Sequence, residues 1–201
     1  MSEPNQKVML GLKMPTDPRW LNLVEANIEE ILVDHAYCEQ KAASNAMTCI
    51  IKFPECSDLV RGMMRICQEE MAHFEMVHEE LLKRGFVLGP ERKDPYVHDL
   101  AGFILSGGNR ERQLVERMLL GAMIEARSCE RFRLLSEKIS DLDLRVFYRE
   151  LMESEADHYT TFIGFARQYA TTINVEARWK EFLVFEGQLM EHYSKKESMH
   201  G

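Results

Sequence analysis

The chain has 201 residues, of which 45% are hydrophobic, and its formal net charge is −8. This hydrophobic fraction excludes a disordered chain, and the acidic balance argues against a protein that coats nucleic acid, although a local basic patch is compatible with it. Five cysteines without a Cys-x-x-Cys pair indicate reduced thiols in the cytoplasm rather than a disulfide framework. No apolar run reaches the length of a membrane span, and the first 20 residues lack the apolar core of a signal peptide.

Apolar residues recur at helical spacing over most of the chain, whereas strand signals are weak throughout. This periodicity predicts five helices, over residues 18–51, 57–84, 110–139, 141–169 and 175–193. Asp17, directly before Pro18, is the expected N-cap of the first helix. Either Ser57 or Asp58 is expected to cap the second helix. Gly85 is expected to end that second helix as its C′ residue.

The connections between these helices predict how the helices pair. The break at Phe53–Ser57 is short, so the first two helices should be antiparallel neighbours. Ser140–Asp141 makes a similarly tight turn and cap between the third and fourth helices. A long connection, Phe86–Asn109, separates the two resulting hairpins.

Two helical hairpins joined by one long crossover have the connectivity of a ferritin-like four-helix bundle. We therefore predict an all-α protein with a ferritin-like four-helix bundle, one long crossover and an additional C-terminal helix. A single domain should cover residues 1–201, with an irregular segment over residues 1–17 and a frayed tail over residues 194–201.

The second helix carries two polar residues on its apolar face. Glu70 and His73 are three residues apart, so they share one face of a helix. They fall in register with an apolar stripe made of Leu59, Met63, Ile66, Val77 and Leu81. A buried carboxylate is costly unless it is paired or holds a metal, so this position indicates a functional group.

The same pattern recurs in the second half of the chain. Glu155 and His158 are also three residues apart within an apolar stripe. In each half, another glutamate lies in the apolar stripe of the preceding helix, about thirty residues earlier: Glu39 in the first half and Glu125 in the second. One Glu on each of two helices and Glu-x-x-His on each of the other two is the ligand pattern of dinuclear carboxylate bundles.

Four carboxylates in one bundle core repel each other, by roughly 4 kcal/mol for a pair at 4 Å and an effective dielectric of about 20. Two divalent cations would balance the four negative charges. A mixed carboxylate and imidazole set suits iron or manganese, and we predict two iron ions, because a pair of Fe(II) ions can pass electrons to O₂. A lone Glu-x-x-His usually lies on a solvated helix face, but two such pairs in apolar stripes are hard to produce by accident.

His35 lies one turn before Glu39 in the same stripe. It is compatible both with a group that supports Glu39 and with an ordinary core histidine.

Four segments make the chain similar to a known family. They are EEMAHFEMVHEELLKRG, GPERKDPYV, GAMIEARSCERFRLL and SEADHYTTF, and they resemble the bacterial tRNA 2-methylthio-isopentenyl-adenosine hydroxylases over about residues 8–195. The Glu-x-x-His pairs are common to all diiron carboxylate proteins. IEARSCERF and LGPERKDPYV are the more specific part.

The resemblance implies a cytoplasmic non-haem diiron monooxygenase. Such an enzyme hydroxylates the isopentenyl side chain of a hypermodified adenosine beside the tRNA anticodon. It uses two iron ions, O₂ and an external electron donor such as a reductase or a ferredoxin-type protein. The six candidate ligands match the family pattern: Glu39, Glu70, His73, Glu125, Glu155 and His158. Small residues near the ligands should leave room for oxygen and a prenyl chain: Ala36, Ala42, Ala43, Gly121, Ala122 and Ala126.

Three other functions share the same helices and ligands. Ferritin-like iron storage predicts a large closed shell, which gel filtration would detect. A rubrerythrin-like peroxidase usually carries a four-cysteine iron domain, for which this chain has no Cys-x-x-Cys pair. A diiron oxygenase that acts on a small molecule would suit the acidic net charge better than a tRNA enzyme does.

A local excess of basic residues supplies a candidate tRNA contact surface. The segment from Lys83 to Arg117 holds seven basic and five acidic residues, so its charge is +2 and that of the remainder is −10 (−8 − 2). The residues expected to contact anticodon-loop phosphates are Arg92, Lys93, Arg110 and Arg112. An ordinary solvated loop is the alternative, and the next candidates are then Arg127, Arg131 and Arg133.

Overall fold

The computed structural model describes residues 9–91 and 95–193, and within them the chain forms a short 3-10 turn, Met9–Gly11, seven α-helices and no strand. The helices are α1 (Arg19–Ala26), α2 (Ile28–Lys52), α3 (Ser57–Lys83), α4 (Pro95–Ala101), α5 (Arg110–Lys138), α6 (Leu142–Tyr169) and α7 (Val175–Tyr193). The predicted all-α class is therefore confirmed.

The chain divides into two compact units. The hairpin unit consists of residues 24–93, and the larger unit consists of residues 1–23 together with residues 94–201. The single domain over residues 1–201 stays a prediction.

In the hairpin unit, α2 packs along α3, as the short break between them predicted. The pair buries apolar residues on both helices, including Leu32, Ala43, Leu59, Met63 and Leu81. Full burial of one such leucine or methionine stabilises the fold by about 1.5–3 kcal/mol. The α2–α3 pair thus has an apolar seam of its own.

The ends of α3 confirm one expectation and correct another. Its N-cap is Cys56, without a side-chain capping bond, and Ser57 is already helical, so the predicted cap at Ser57 or Asp58 is wrong. At the other end, Gly85 has φ +75°. The N–H of Gly85 donates to the carbonyl of Leu82, and the next N–H donates to the carbonyl of Leu81, each at 3.0 Å. This pattern is a Schellman motif, and the predicted C′ glycine is confirmed.

The prediction of one continuous helix over residues 18–51 is wrong. The helix is broken at Asn27, whose backbone (φ −138°, ψ 43°) is not helical. Asparagine is a preferred residue at helix N-caps, and Asn27 is the N-cap of α2, although its side chain makes no capping bond there. The start of the first helix agrees with the sequence, because the Asp17 carboxylate accepts the N–H of Arg19 at 2.9 Å.

In the larger unit, α5 packs along α6, and α7 packs on α5. The predicted cap between α5 and α6 is confirmed, because the Asp141 carboxylate accepts the N–H groups of Asp143 and Leu144 at 3.0 and 3.1 Å. The long connection at Phe86–Asn109 is not wholly irregular, since it contains α4, which packs on α5 and α7.

A buried ion pair joins α5 to α7 within the larger unit. Arg127 is 1% exposed and Glu186 is 0% exposed, and Arg127 Nε donates to Glu186 Oε1 at 2.7 Å. The guanidinium also donates to the Met14 carbonyl at 3.0 Å and to the Thr16 hydroxyl at 3.4 Å. Tyr96 on α4 donates its hydroxyl to Glu186 at 3.2 Å. One ionic cluster therefore connects α4, α5, α7 and the N-terminal segment.

A second polar contact fixes the loop between α6 and α7. The Glu111 carboxylate, at the start of α5, accepts the N–H groups of Thr171, Thr172 and Ile173 at 2.6, 2.6 and 3.1 Å. It also accepts both threonine hydroxyls at 2.9 Å. These bonds, the Thr172 N–H first among them, lower the pKa of Glu111 to about 2.

None of the helices in the described part of the chain has a stretch long and apolar enough to cross a bilayer. The frayed tail predicted over residues 194–201 lies outside the described residues.

Candidate metal centre

In the hairpin unit, α2 and α3 bring together Glu39, Glu70 and His73, which we call the Glu39 triad. These side chains are buried, with relative exposures of 4%, 0% and 8%. His73 Nδ1 lies 3.3 Å from Glu70 Oε2 and 3.7 Å from Glu39 Oε2. Each residue offers a ligand atom within 4.8 Å of those of the other two. The side chains that the apolar stripe placed on one helix face therefore lie close together, and their role as metal ligands stays a prediction.

His35 completes the polar surroundings of Glu39. It is buried at 7% exposure, and its Nε2 lies 2.6 Å from Glu39 Oε1. The two residues are one helical turn apart on α2, which places their side chains on the same face. Of the two interpretations that the sequence left open, this contact favours a group that supports Glu39.

The electrostatics of the Glu39 triad are those of a site that attracts positive charge. Burial raises the pKa of Glu39, but hydrogen bonds from His35 and His73 outweigh it, so the pKa of Glu39 lies well below its usual value. Burial alone would lower the pKa of His73. Its contacts with Glu39 and Glu70 outweigh burial and raise that pKa to about 10. Without a metal, a protonated His73 thus balances part of the carboxylate charge, and a divalent cation would fill the same role.

In the larger unit, α5 and α6 bring together Glu125, Glu155 and His158, which we call the Glu125 triad. They are 5%, 2% and 2% exposed, and each offers a ligand atom within 4.8 Å of the others. The triad repeats the two carboxylates and one imidazole of the Glu39 triad. Each unit therefore contains one buried Glu-Glu-His set, a donor composition that suits iron or manganese.

Cys129 lies one turn after Glu125 on α5, but its thiol points to a backbone carbonyl rather than to the triad. Burial raises the pKa of its thiol to about 11, and the charges of Glu130 and Glu125 act in the same direction. The thiol donates to the Met152 carbonyl at 3.5 Å. Among the described residues, the groups of clustered donor atoms do not include this thiol.

The space beside Gly121 is filled by an aromatic ring. A Cβ built on Gly121 would lie 2.7–3.0 Å from three atoms of the Phe162 ring, and Phe162 is 1% exposed. Gly121 is one turn before Glu125, and Phe162 is one turn after His158. The expectation that Gly121 leaves room for oxygen or a prenyl chain is therefore wrong, because this glycine admits Phe162 instead.

The structure describes two of the four predicted tRNA-contacting residues. Arg110 and Arg112 are exposed at the start of α5, whereas Arg92 and Lys93 lie outside the described residues. Between the two arginines, the Glu111 carboxylate is bound by the α6–α7 loop.

The three arginines that were next in line as tRNA contacts all interact with other residues of the protein. Arg127 is buried against Glu186, and Arg133 is paired with Glu130 and Glu137. Arg131 lies 5.5 Å from the centroid of the Trp20 ring and the same distance from that of Tyr96. Of the three, Arg127 is excluded as a contact surface by its burial.

The sequence did not reveal a second class of buried acids, which serve as partners of arginine. Glu116 and Glu186 are 3% and 0% exposed. Glu116 accepts two bonds from Arg178, at 2.7 and 2.8 Å, and Glu186 accepts from Arg127. Burial alone therefore does not point to a metal ligand, whereas burial beside a second carboxylate and an imidazole is the pattern predicted for one.

Three comparisons relate the chain to known proteins. The family model of MiaE, described as tRNA-(MS2IO6A)-hydroxylase, matches residues 3–201. A relative from Pseudomonas putida is 36% identical over 164 residues, which cover 82% of this chain and 78% of the relative. A relative from Salmonella typhimurium is 27% identical over 240 residues, covering 91% and 84%. Both are named tRNA 2-(methylsulfanyl)-N(6)-isopentenyladenosine(37) hydroxylase.

A solved structure has the same fold. It is a Synechococcus protein described as having aldehyde deformylating oxygenase activity, with a TM-score of 0.83 and 31% identity, covering 89% of this chain and 88% of that one. With the all-helical architecture, this likeness confirms the predicted ferritin-like fold class.

Proposed function

Because the chain belongs to the MiaE family of tRNA hydroxylases, we propose that it hydroxylates the isopentenyl side chain of 2-methylthio-isopentenyl-adenosine beside the tRNA anticodon. The reaction class is that of an O₂-dependent non-haem diiron monooxygenase. The proposed substrate is a tRNA anticodon loop, and a tRNA substrate supports a location in the cytoplasm. The electrons come from an external reductase or a ferredoxin-type donor.

The six residues of the Glu39 and Glu125 triads are the proposed ligands of two iron ions. Four carboxylates and two neutral imidazoles carry a charge of −4, which two Fe(II) ions balance. The donor set supports this assignment, because carboxylate and imidazole ligands together suit iron. The burial of all six side chains supports it further, since four buried carboxylates need compensating charge.

When bound, the iron pair supplies the electron transfer to O₂ that inserts one oxygen atom into an aliphatic C–H bond. The protein's part is to hold the six ligands and to keep the surroundings dry. The six side chains are at most 8% exposed, so bulk water has little access to them, which strengthens the ligand electrostatics and limits side reactions. Of the flanking groups, Phe162 closes the space beside Gly121 in the larger unit.

The observation that carries the proposal is the pair of buried Glu-Glu-His triads in a chain of this family. The test combines metal analysis with turnover on tRNA that contains the methylthio-isopentenyl nucleoside. We expect about two iron ions per chain and a hydroxylated nucleoside whose new oxygen comes from labelled O₂. Label that came from water would contradict the monooxygenase reaction.

Matched variants test the ligands. Glu70→Ala removes a proposed ligand, while Glu69→Ala changes the exposed neighbouring acid and serves as the control. Iron content should fall sharply in the first variant and stay unchanged in the second, with helicity retained in both. Full iron occupancy in a triple alanine variant of Glu39, Glu70 and Glu125 would rule out this site.

The proposed tRNA contact surface is the crossover with the start of α5. Arg110 and Arg112 are exposed there, and the helix N-terminus adds its own partial positive charge. Binding should therefore weaken with rising salt, because phosphate contacts release counterions. Replacing Arg92, Lys93, Arg110 and Arg112 with alanine should raise the KM for tRNA and flatten the salt slope, while iron content is unchanged. An unchanged slope would place the contact surface elsewhere.

A second candidate function is an oxygenase that acts on a small molecule. The likeness to the Synechococcus protein with aldehyde deformylating oxygenase activity favours it. The two functions differ in substrate rather than in metal. Comparing tRNA nucleosides from cells with and without the gene distinguishes them, because only the tRNA hydroxylase changes the modified adenosine.

A further inference from the structure

The two oxygens of Glu39 have different neighbours. Oε1 lies 2.6 Å from His35 Nε2, which comes from the same helix. Oε2 lies 3.7 Å from His73 Nδ1, which comes from α3 and belongs to the triad. The Oε1 contact is the shorter one, and both partners are at least nine-tenths buried, so water competes little for it.

We propose that His35 is a positioning residue that fixes how Glu39 binds iron. His35 Nε2–H donates to Oε1 and leaves Oε2 as the oxygen presented to the metal. Glu39 would then offer the metal one oxygen rather than two, which would leave room at the metal for an added ligand such as O₂. The inference rests on the proposed diiron function, because it assigns a role to His35 only if Glu39 is a ligand.

The geometry separates this role from the two alternatives. If His35 were itself a ligand through Nε2, that nitrogen would have to leave the 2.6 Å contact that it makes with the carboxylate. If it were an ordinary core histidine, any apolar side chain of similar size would serve equally well. A hydrogen bond to one carboxylate oxygen makes that oxygen a poorer donor to a metal, and such partners of ligands commonly tune a site by about 10- to 100-fold.

The consequence is a specific change when the donor is lost. Without His35, Glu39 can turn both oxygens to the metal, which raises the coordination number and closes the open position. An external anion that needs that position should then bind more weakly. Metal affinity itself is a poorer measure, because loss of the restraint weakens binding while chelation by the second oxygen strengthens it.

The experiment uses the full chain loaded with Co(II), whose visible absorption weakens as coordination number rises, and azide as the probe of an open position. His35→Leu and His35→Ala both remove the donor, so a folding failure in one leaves the other. His35→Gln keeps a side-chain N–H donor one turn from Glu39. His78→Ala on α3 is the control, since His78 stacks on Phe74 with ring centroids 6.3 Å apart.

We expect the Leu and Ala variants to show a weaker Co(II) band and about 10-fold weaker azide binding. The Gln and His78→Ala variants should match the wild type. An unchanged band and azide affinity in the donor-less variants would overturn the inference, as would a Gln variant that is impaired as much as they are. A wild-type protein that binds no Co(II) or Fe(II) would instead contradict the proposed function itself.

Discussion

Breaking the Arg127–Glu186 pair should destabilise the larger unit severely. Both side chains are essentially inaccessible, and their atoms meet at 2.6 and 2.7 Å. Removing one partner of a buried pair costs about 3–5 kcal/mol, because the other charge stays buried without its counter-ion. At about 2–4 °C per kcal/mol for a chain of this size, Glu186→Leu should lower Tm by roughly 6–20 °C.

The double variant Arg127→Met with Glu186→Leu should be less destabilised than either single variant. Both charges are then gone, and the remaining cost, about 1–3 kcal/mol, comes from polar partners such as the Tyr96 hydroxyl and the Met14 carbonyl. Urea unfolding of the wild type, both single variants and the double variant completes a double-mutant cycle. If the single effects added within about 0.5 kcal/mol, the pair would not be energetically coupled and the reasoning would fail.

Three further predictions test local features. Gly121→Ala should destabilise the protein by about 1–3 kcal/mol through overpacking against Phe162, whereas Gly164→Ala, whose Cβ would meet no atom within 4 Å, should be neutral or slightly stabilising in thermal unfolding. Gly85→Ala should cost about 1–2 kcal/mol although it meets no neighbour, because its φ is +75°. Glu111 has its pKa lowered from 4.5 to about 2, so its stabilising effect is complete above pH 4.5 and is lost as the pH falls towards 2. The Tm difference between the wild type and Glu111→Gln should shrink over that interval, and a constant difference would show that the ionised carboxylate is not the stabilising group.

The two triads could be located from the sequence because their signal is local. A carboxylate in the apolar stripe of a helix contradicts the periodicity of its own segment, and the contradiction repeats in four helices. The same logic could not separate Glu70 from Glu186, which is equally buried. The difference lies in the partner, and Arg127 is 59 residues away from Glu186 in the chain, so only tertiary packing reveals it.

The errors at Asn27 and Gly121 have related causes. One asparagine in a long apolar repeat costs a helix only a few tenths of a kcal/mol, so local propensity does not decide between a break and a continuous helix. A glycine in a helix indicates close approach, but the sequence does not name what approaches. At Gly121 it is a Phe162 ring from the next helix rather than a ligand.

The division of the chain has a consequence for synthesis on the ribosome. The hairpin unit is one continuous segment, 24–93, whereas the larger unit starts before it and resumes after it. Met14 and Thr16 bind Arg127, which is 113 and 111 residues further along. At a translation rate of about 5–20 residues per second, roughly 5–20 s pass between the synthesis of Thr16 and that of Arg127. The segment that holds Met14 and Thr16 is therefore synthesised well before the arginine that it contacts, and until then it is open to chaperones and proteases.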